Sequence, residues 1–319
     1  MMKTPKLVSA SLIAIALGAV TFIGCKKDDT TMVPASASVS DERTEANDNF
    51  IAASSFNDAA NLIFNDVAKS SSTNSAIILP TNFPENIIEP LHASCAKVTY
   101  NMKAEPFTAQ VDFGKDGCRD AEGNQRSGKI LITWNRSLYE VGSFSTITFS
   151  DYYFNYNKIE GEIKVENTGY NFEGNLSFNI KSKGSVTVYN EPISPAIASS
   201  NMRLQSRTMT YSAFHTVMWM KDASNRNHDV YLIYGRAEGT TLNGSGYAAY
   251  IDAPLKKEGG FPFYISGILR LVMKEGDVRT VNYGYYNNER DDLASVIMGT
   301  DVEVIIHLNR NPFMIANIH

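Results

Sequence analysis

The chain has 319 residues, 43% of them hydrophobic and 20% charged, which is long and apolar enough to bury a core and excludes intrinsic disorder. Its formal charge of −5 becomes −7 once a segment holding Lys3 and Lys6 is removed, and neither balance suits nucleic acid as a partner. No polybasic cluster offers itself to anionic lipid headgroups, so attachment to a membrane has to come from another device.

The first segment supplies one. Lys3 and Lys6 form a short basic region, Leu7 to Ile23 an apolar run rich in Ala, Ile and Leu, and FIGC closes the segment at Cys25. This is the architecture of an export signal over residues 1–24. A transmembrane helix is the alternative, but the run sits at the lower limit of what spans a bilayer and ends on Gly24 beside a cysteine. The ending resembles the lipobox of bacterial lipoprotein signals, in which an aliphatic residue and a small pair precede the cysteine. Phe22 and Ile23 depart from that pattern, whereas Gly24 and Cys25 keep it. The resemblance implies that Cys25 carries lipid through its sulfur, palmitate included. Each buried methylene contributes about 0.8 kcal/mol, so two or three acyl chains anchor a protein that one chain would hold only marginally.

Lys26, Lys27, Asp28 and Asp29 follow, and then a stretch of Thr, Ser, Ala and acidic residues, which together predict a flexible tether over residues 25–47. A basic pair followed by an acidic pair resembles the export signals of Bacteroidetes-type lipoproteins that reach the outer face of the outer membrane. It implies an outer-membrane location with exposure at the cell surface.

Residues 48–315 are expected to form a single β domain opened by one amphipathic helix at 48–70, in which Ile51, Phe56, Ala59, Leu62, Ile63 and Val67 recur at three- and four-residue spacing. The helix is expected to pack on a sheet; the alternative is a partner-binding helix. From Cys95 onward the period becomes two. Ile159, Ile163 and Val165 share one face against Glu160, Glu162, Lys164 and Glu166, and Phe172, Leu176, Phe178 and Ile180 share one face against Glu173, Asn175, Ser177, Asn179 and Lys181. Such runs are half-buried strands. Phe263 to Met273 and Val302 to Leu308 alternate likewise, and further strands are predicted near 96–103, 107–113, 128–137, 144–156, 203–211, 229–238 and 246–252. Gly, Asn and Asp mark the turns, and residues 190–202, with Pro192 and Pro195, the longest loop.

The expected fold is therefore mainly β, an antiparallel meander forming a sandwich or open barrel. A transmembrane β-barrel would share the alternation, but it needs no lipid anchor and commonly ends on an aromatic residue, where this chain reads Asn317, Ile318 and His319.

With Cys25 assigned to lipid, Cys95 and Cys118 remain as a pair in an oxidising compartment and predict a disulfide, with a hairpin turning near Glu105 and Pro106 between them. Two thiols alone make no metal site. The succession of a strand, DFG, an acidic loop containing Cys118, RSGKI and the GEIKVENTG strand resembles an uncharacterised family of Bacteroidetes-type lipoproteins over roughly residues 95–310. That resemblance implies location and β fold, and no chemistry. The later acidic loop, within residues 281–308, lacks the cysteine of the first.

Motifs for chemistry are weak. Asp112, Asp116, Asp120 and Glu122 could offer oxygen ligands to calcium, yet Cys118 and Arg119 break the EF-hand alternation, and a solvated turn is the plainer reading. The histidines at 92, 215, 228, 307 and 319 never share a helical face, and HExxH is absent. Ser245 in NGSG lacks the first glycine of a nucleophile elbow. Glu160 with Glu162, and Asp291 with Asp292, read as solubilising charge in place of the spaced pair of a glycosidase. Among aromatic residues, Tyr152, Tyr153 and Tyr156 are the candidates to stack on sugar faces.

These observations predict a membrane-anchored envelope lipoprotein that acts as a non-catalytic binding or structural module, with no cofactor, no metal and no nucleic acid, and with a glycan or an envelope protein as candidate partner. A glycan-binding surface lipoprotein, or a hydrolase whose site is assembled from distant residues, are the alternatives.

Overall fold

The computed structural model describes residues 39–62, 88–90, 95–101, 103, 105–120, 123–189, 206–222, 228–259, 261, 263–284, 290–299 and 302–308. Among these residues one helix, α1 (Val39–Leu62), precedes fifteen strands. They are β1 (Ile88–Pro90), β2 (Lys97–Asn101), β3 (Phe107–Asp112), β4 (Cys118–Arg119), β5 (Gln125–Trp134), β6 (Phe144–Phe154), β7 (Asn157–Tyr170), β8 (Leu176–Tyr189), β9 (Ser206–Met220), β10 (Val230–Thr240), β11 (Gly246–Glu258), β12 (Ser266–Met273), β13 (Val278–Asn282), β14 (Leu293–Met298) and β15 (Val302–His307). All belong to one antiparallel sheet in which each strand pairs with its predecessor, except that the short β4 pairs with β5 off the main path. Among the described residues no pairing joins the last strand to the first, so the sheet is not closed. The expected meander is present, as one curled sheet instead of two facing ones.

The alternation that predicts the strands also sets their faces. In β7, Ile159, Ile163 and Val165 are buried while Glu160, Lys164 and Glu166 are exposed, and in β8 Leu176, Phe178 and Ile180 are buried. Phe172 departs from its expected inward place: it lies in the β7–β8 turn and is fully exposed, because β8 starts only at Leu176. Strands β13 and β14 escape the period-two reading for physical reasons. β13 turns Arg279 inward, and β14 buries Ala294, Ser295 and Val296 in succession.

The sheet curls around α1. The helix touches β6, β7, β8 and β9 from one side of the strand order and β14 from the far end. Glycines permit this bend. Gly161 (φ +129°) and Gly184 face each other across β7 and β8, and a Cβ on Gly184 would stand 1.9 Å from the Glu160 carbonyl oxygen and 2.8 Å from Phe56 Cζ. The gap left by the missing side chain receives the Phe56 ring, which also stacks on Tyr211 at 5.4 Å and meets Phe149 edge-on at 6.0 Å. A close approach of backbone and ring at this point demands glycine.

The helix begins at Val39, earlier than its expected start and inside the segment read as tether. That reading rested on polarity, whereas Glu42, Arg43, Glu45 and Ala46 are strong helix formers. Nor is α1 amphipathic in the expected sense. Between Glu45 and Ala60 it is buried nearly all round, with Asp48, Asn49, Ser54 and Ser55 buried along with Phe50 and Ile51. Buried polar groups need partners. Ser54 and Ser55 hydroxyls donate to the Ile51 carbonyl. The Asp48 carboxylate accepts the Leu242 amide at 2.8 Å, and Asn57 donates to the Tyr264 hydroxyl at 2.9 Å. Asp58 pairs with Arg126 of β5 (Nη2 to Oδ1, 3.0 Å), and Glu45 faces Arg279 of β13 at 3.6 Å.

Arg126 organises the second end of this contact. Its Nε donates to Asp120 at 2.8 Å, its Nη1 to the Tyr152 hydroxyl at 2.8 Å, and its guanidinium lies 4.7 Å from the Phe154 ring centroid. Next to this cluster Cys118 forms the expected disulfide with Cys95, with Cα atoms 5.8 Å apart. In the chain-entropy picture a loop of this length stabilises by roughly 3 kcal/mol.

Candidate functional site

Cys25 lies outside the described residues. Tyr152, Tyr153 and Tyr156 do not form a stacking platform. Alternation sends Tyr152 inward, where it is fully buried, and burial drives its hydroxyl pKa well above the usual range. Tyr153 points to the other face and is half-buried, with burial and the neighbouring Tyr189 pushing its pKa up to about 12. Tyr156 sits in the β6–β7 turn at φ +68°. Adjacent residues of a strand cannot share a face, and the aromatic run therefore splits.

The carboxylate candidates also disperse. Asp120 is buried against Arg126, and Asp112 pairs with Lys129 at 2.9 Å, which holds its pKa below the usual carboxylate range. Glu160 pairs with Lys158, Glu162 with Lys164 and Asp292 with His307, each within 3.0 Å. The amide of Ser245 donates to Asn243 within a turn. Among the described residues no three His, Cys, Asp or Glu side chains come together in a metal-ligand arrangement, and no helix is long and apolar enough to cross a membrane.

What the register does assemble is a row on the outer face of the middle strands. Lys164 on β7 pairs with Lys181 on β8, Lys181 with Phe214 on β9, Phe214 with Arg236 on β10, and Arg236 with Tyr250 on β11. Arg270 on β12 continues it. All five residues from Lys164 to Tyr250 are exposed, the two rings at 40% and 38%. Four strand spacings of about 4.8 Å make the row about 19 Å long. The rings are held by their neighbours: Lys181 Nζ lies 5.7 Å from the Phe214 centroid, and Arg270, in a two-pronged pair with Asp252 (2.7 and 3.0 Å), lies 4.9 Å from that of Tyr250.

The neighbouring row runs Glu162, Lys183, Ser212, Glu238, Ala248. Its small members, Ser212 and Ala248, are flanked by the long side chains of the first row, and a groove of about 630 Å³ lies over both. Four cations and two carboxylates line it, although the chain as a whole is acidic. Glu162 is engaged by Lys164 at 2.9 Å, whereas among the described residues Arg236 and Lys183 have no carboxylate partner. Such side chains on a hydrogen-bonded sheet can hold a ligand: the cations give charge-assisted hydrogen bonds and the rings give flat apolar faces.

Directly beneath, on the inner face, His215 lines a cavity of about 20 Å³ with Asn49 and Phe50 of α1, and burial lowers its pKa to about 4. It is neutral at physiological pH and belongs to the packing under the groove. Sequence reading missed the row because its members come from five strands. Only the pairing register, which one sequence does not carry, could have shown it.

Comparison with protein-family models, with curated proteins and with solved structures finds no match to this chain.

Proposed function

We propose that this chain is a lipid-anchored lipoprotein of the outer membrane whose β domain is a non-catalytic binding module, with the outer groove of β7–β11 as its ligand face. The N-terminal FIGC at Cys25 supports the anchor, and the mixed row of cations and rings supports the binding role. The row is the observation that carries the reading. Side chains from five consecutive strands share one face and leave Arg236 and Lys183 free to engage a ligand, on a scaffold whose other face is packed. A rigid, preformed surface limits the entropy lost on association. Stacking rings favour a glycan over an envelope protein as ligand.

Two experiments test the two halves. In fractionated cells the wild-type chain is expected in the outer membrane and open to external protease, and the Cys25→Ala chain is expected to be released; retention of Cys25→Ala in the membrane would refute the anchor. On a glycan array the full chain in detergent is expected to retain a set of glycans that the double variant Phe214→Ala, Tyr250→Ala loses. Binding unchanged in that variant would remove the groove from consideration.

A further inference from the structure

The order of side chains along the row says more than that it binds. Reading across β8 to β12 it runs Lys181, Phe214, Arg236, Tyr250, Arg270, a cation alternating with a ring at each strand spacing. Resting on the binding reading above, we propose that the ligand is an acidic polysaccharide, a polymer in which carboxylate groups recur at intervals with apolar sugar faces between them.

Three observations lead there. First, the cation surplus is local. The groove holds four cations to two carboxylates on a chain of net charge −5, and among the described residues neither Arg236 nor Lys183 forms an ion pair, so an anionic ligand would balance a surplus that a neutral one would leave to solvent. Second, the surplus is modest and interrupted. A densely charged polyanion such as nucleic acid is held by neutralising many successive phosphates, and this row places rings where further cations would then be wanted. Third, Arg236 sits between the two rings in register, so a carboxylate bound by its planar fork would have a ring on either side along the polymer. A carboxylate flanked by sugar faces has that sequence of properties. Arg270 is already engaged by Asp252 and lies against Tyr250, so Arg236 is the one guanidinium of the row with its planar fork unpaired, which makes it the specificity-determining cation.

The test is titration calorimetry on the full chain in detergent with polygalacturonate, with the same polymer after reduction of its carboxyls, with single-stranded DNA and with glycerol 3-phosphate, the soluble headgroup of an anionic lipid. Polygalacturonate is expected to bind with an affinity that falls as salt rises, and the carboxyl-reduced polymer at least about tenfold more weakly, the loss of one charged hydrogen bond being worth about a factor of ten or more. Arg236→Gln is expected to remove that difference, and Arg236→Lys to restore only part of it, since an ammonium cannot make the two-pronged contact. Unchanged thermal unfolding of both variants would confirm that the exposed site was altered without loss of fold. If the reduced polymer binds as well as the acidic one and still needs Phe214 and Tyr250, the acidic assignment falls and the binding face stands. If only DNA or glycerol 3-phosphate binds, the polysaccharide assignment falls. If the acidic polymer binds and neither Arg236→Gln nor the ring variants alter it, both the assignment and the groove are wrong.

Discussion

Strand β9 presents two different chemistries one residue apart. Its inner side chains, Met209, Tyr211, Ala213, His215 and Val217, are buried beneath or beside α1, and its outer ones, Thr210, Ser212, Phe214 and Thr216, face the groove side of the sheet. Phe56 against the inner face and Phe214 on the outer face are the same amino acid within reach of the same strand. One is fully buried between a glycine gap, Tyr211 and Phe149; the other is 40% exposed and touches a lysine. The comparison teaches that the inner face carries the fold's stability while the outer face is free to carry recognition.

Substitution should separate the two. Phe56→Ala is expected to cost about 4 kcal/mol, because the ring is fully enclosed and its gap has glycine on one side and cannot close; chemical denaturation measures it, and a loss below about 1 kcal/mol would mean that α1 is not held as described. Asp48→Asn is the intermediate case, and its sign is opposite. Burial raises the Asp48 pKa from 3.8 to about 6, so keeping that carboxylate ionised at pH 7 costs up to about 3 kcal/mol, a penalty absent below pH 4 and complete above pH 6. The asparagine oxygen can still accept the Leu242 amide, so the variant is expected to be more stable at pH 7 and to lose that advantage on acidification.

His215 makes that experiment sharper. Its pKa falls from 6.5 to about 4, so its contribution to stability is present above pH 6.5 and is lost as pH drops toward 4. In the wild type the two groups give opposing slopes between pH 4 and 6. In Asp48→Asn only the histidine slope remains, and stability is expected to fall by up to about 3 kcal/mol over that window. Urea midpoints at pH 4.5, 5.5 and 6.5 would show it; identical profiles for the two chains would contradict the burial assigned to Asp48. Smallest of all, Phe214→Ala is expected to change stability by less than about 1 kcal/mol while weakening glycan retention. A large loss of stability there would show that the outer face is structural after all.

Strand identity was legible where one face was polar, as in β7, because period two needs nothing beyond neighbouring residues. The enclosure of α1 was not. Its polar residues look like a solvated face, and only Arg126, Tyr264, Leu242 and Arg279, brought from 68 to 207 residues away or farther, turn that face inward. The disulfide was legible because, with Cys25 set aside for lipid, the two other cysteines leave one pairing. The tyrosine cluster misled because density in sequence was read as proximity on a face, and the groove was hidden because Lys181, Phe214, Arg236 and Tyr250 meet only through register.

The enclosure of α1 also bears on the order of assembly. Each strand from β5 to β15 adds to the one before it, so the sheet can grow by local hairpins, most of them with short loops to close. The helix, first of the described elements, has its contacts completed only by β13 and β14, where Glu45 meets Arg279. Its native contacts span most of the chain, and folding rates fall as such separations grow. Pulsed hydrogen exchange should therefore record protection in β7 and β8 ahead of α1, so that a helix made before the sheet is locked after it.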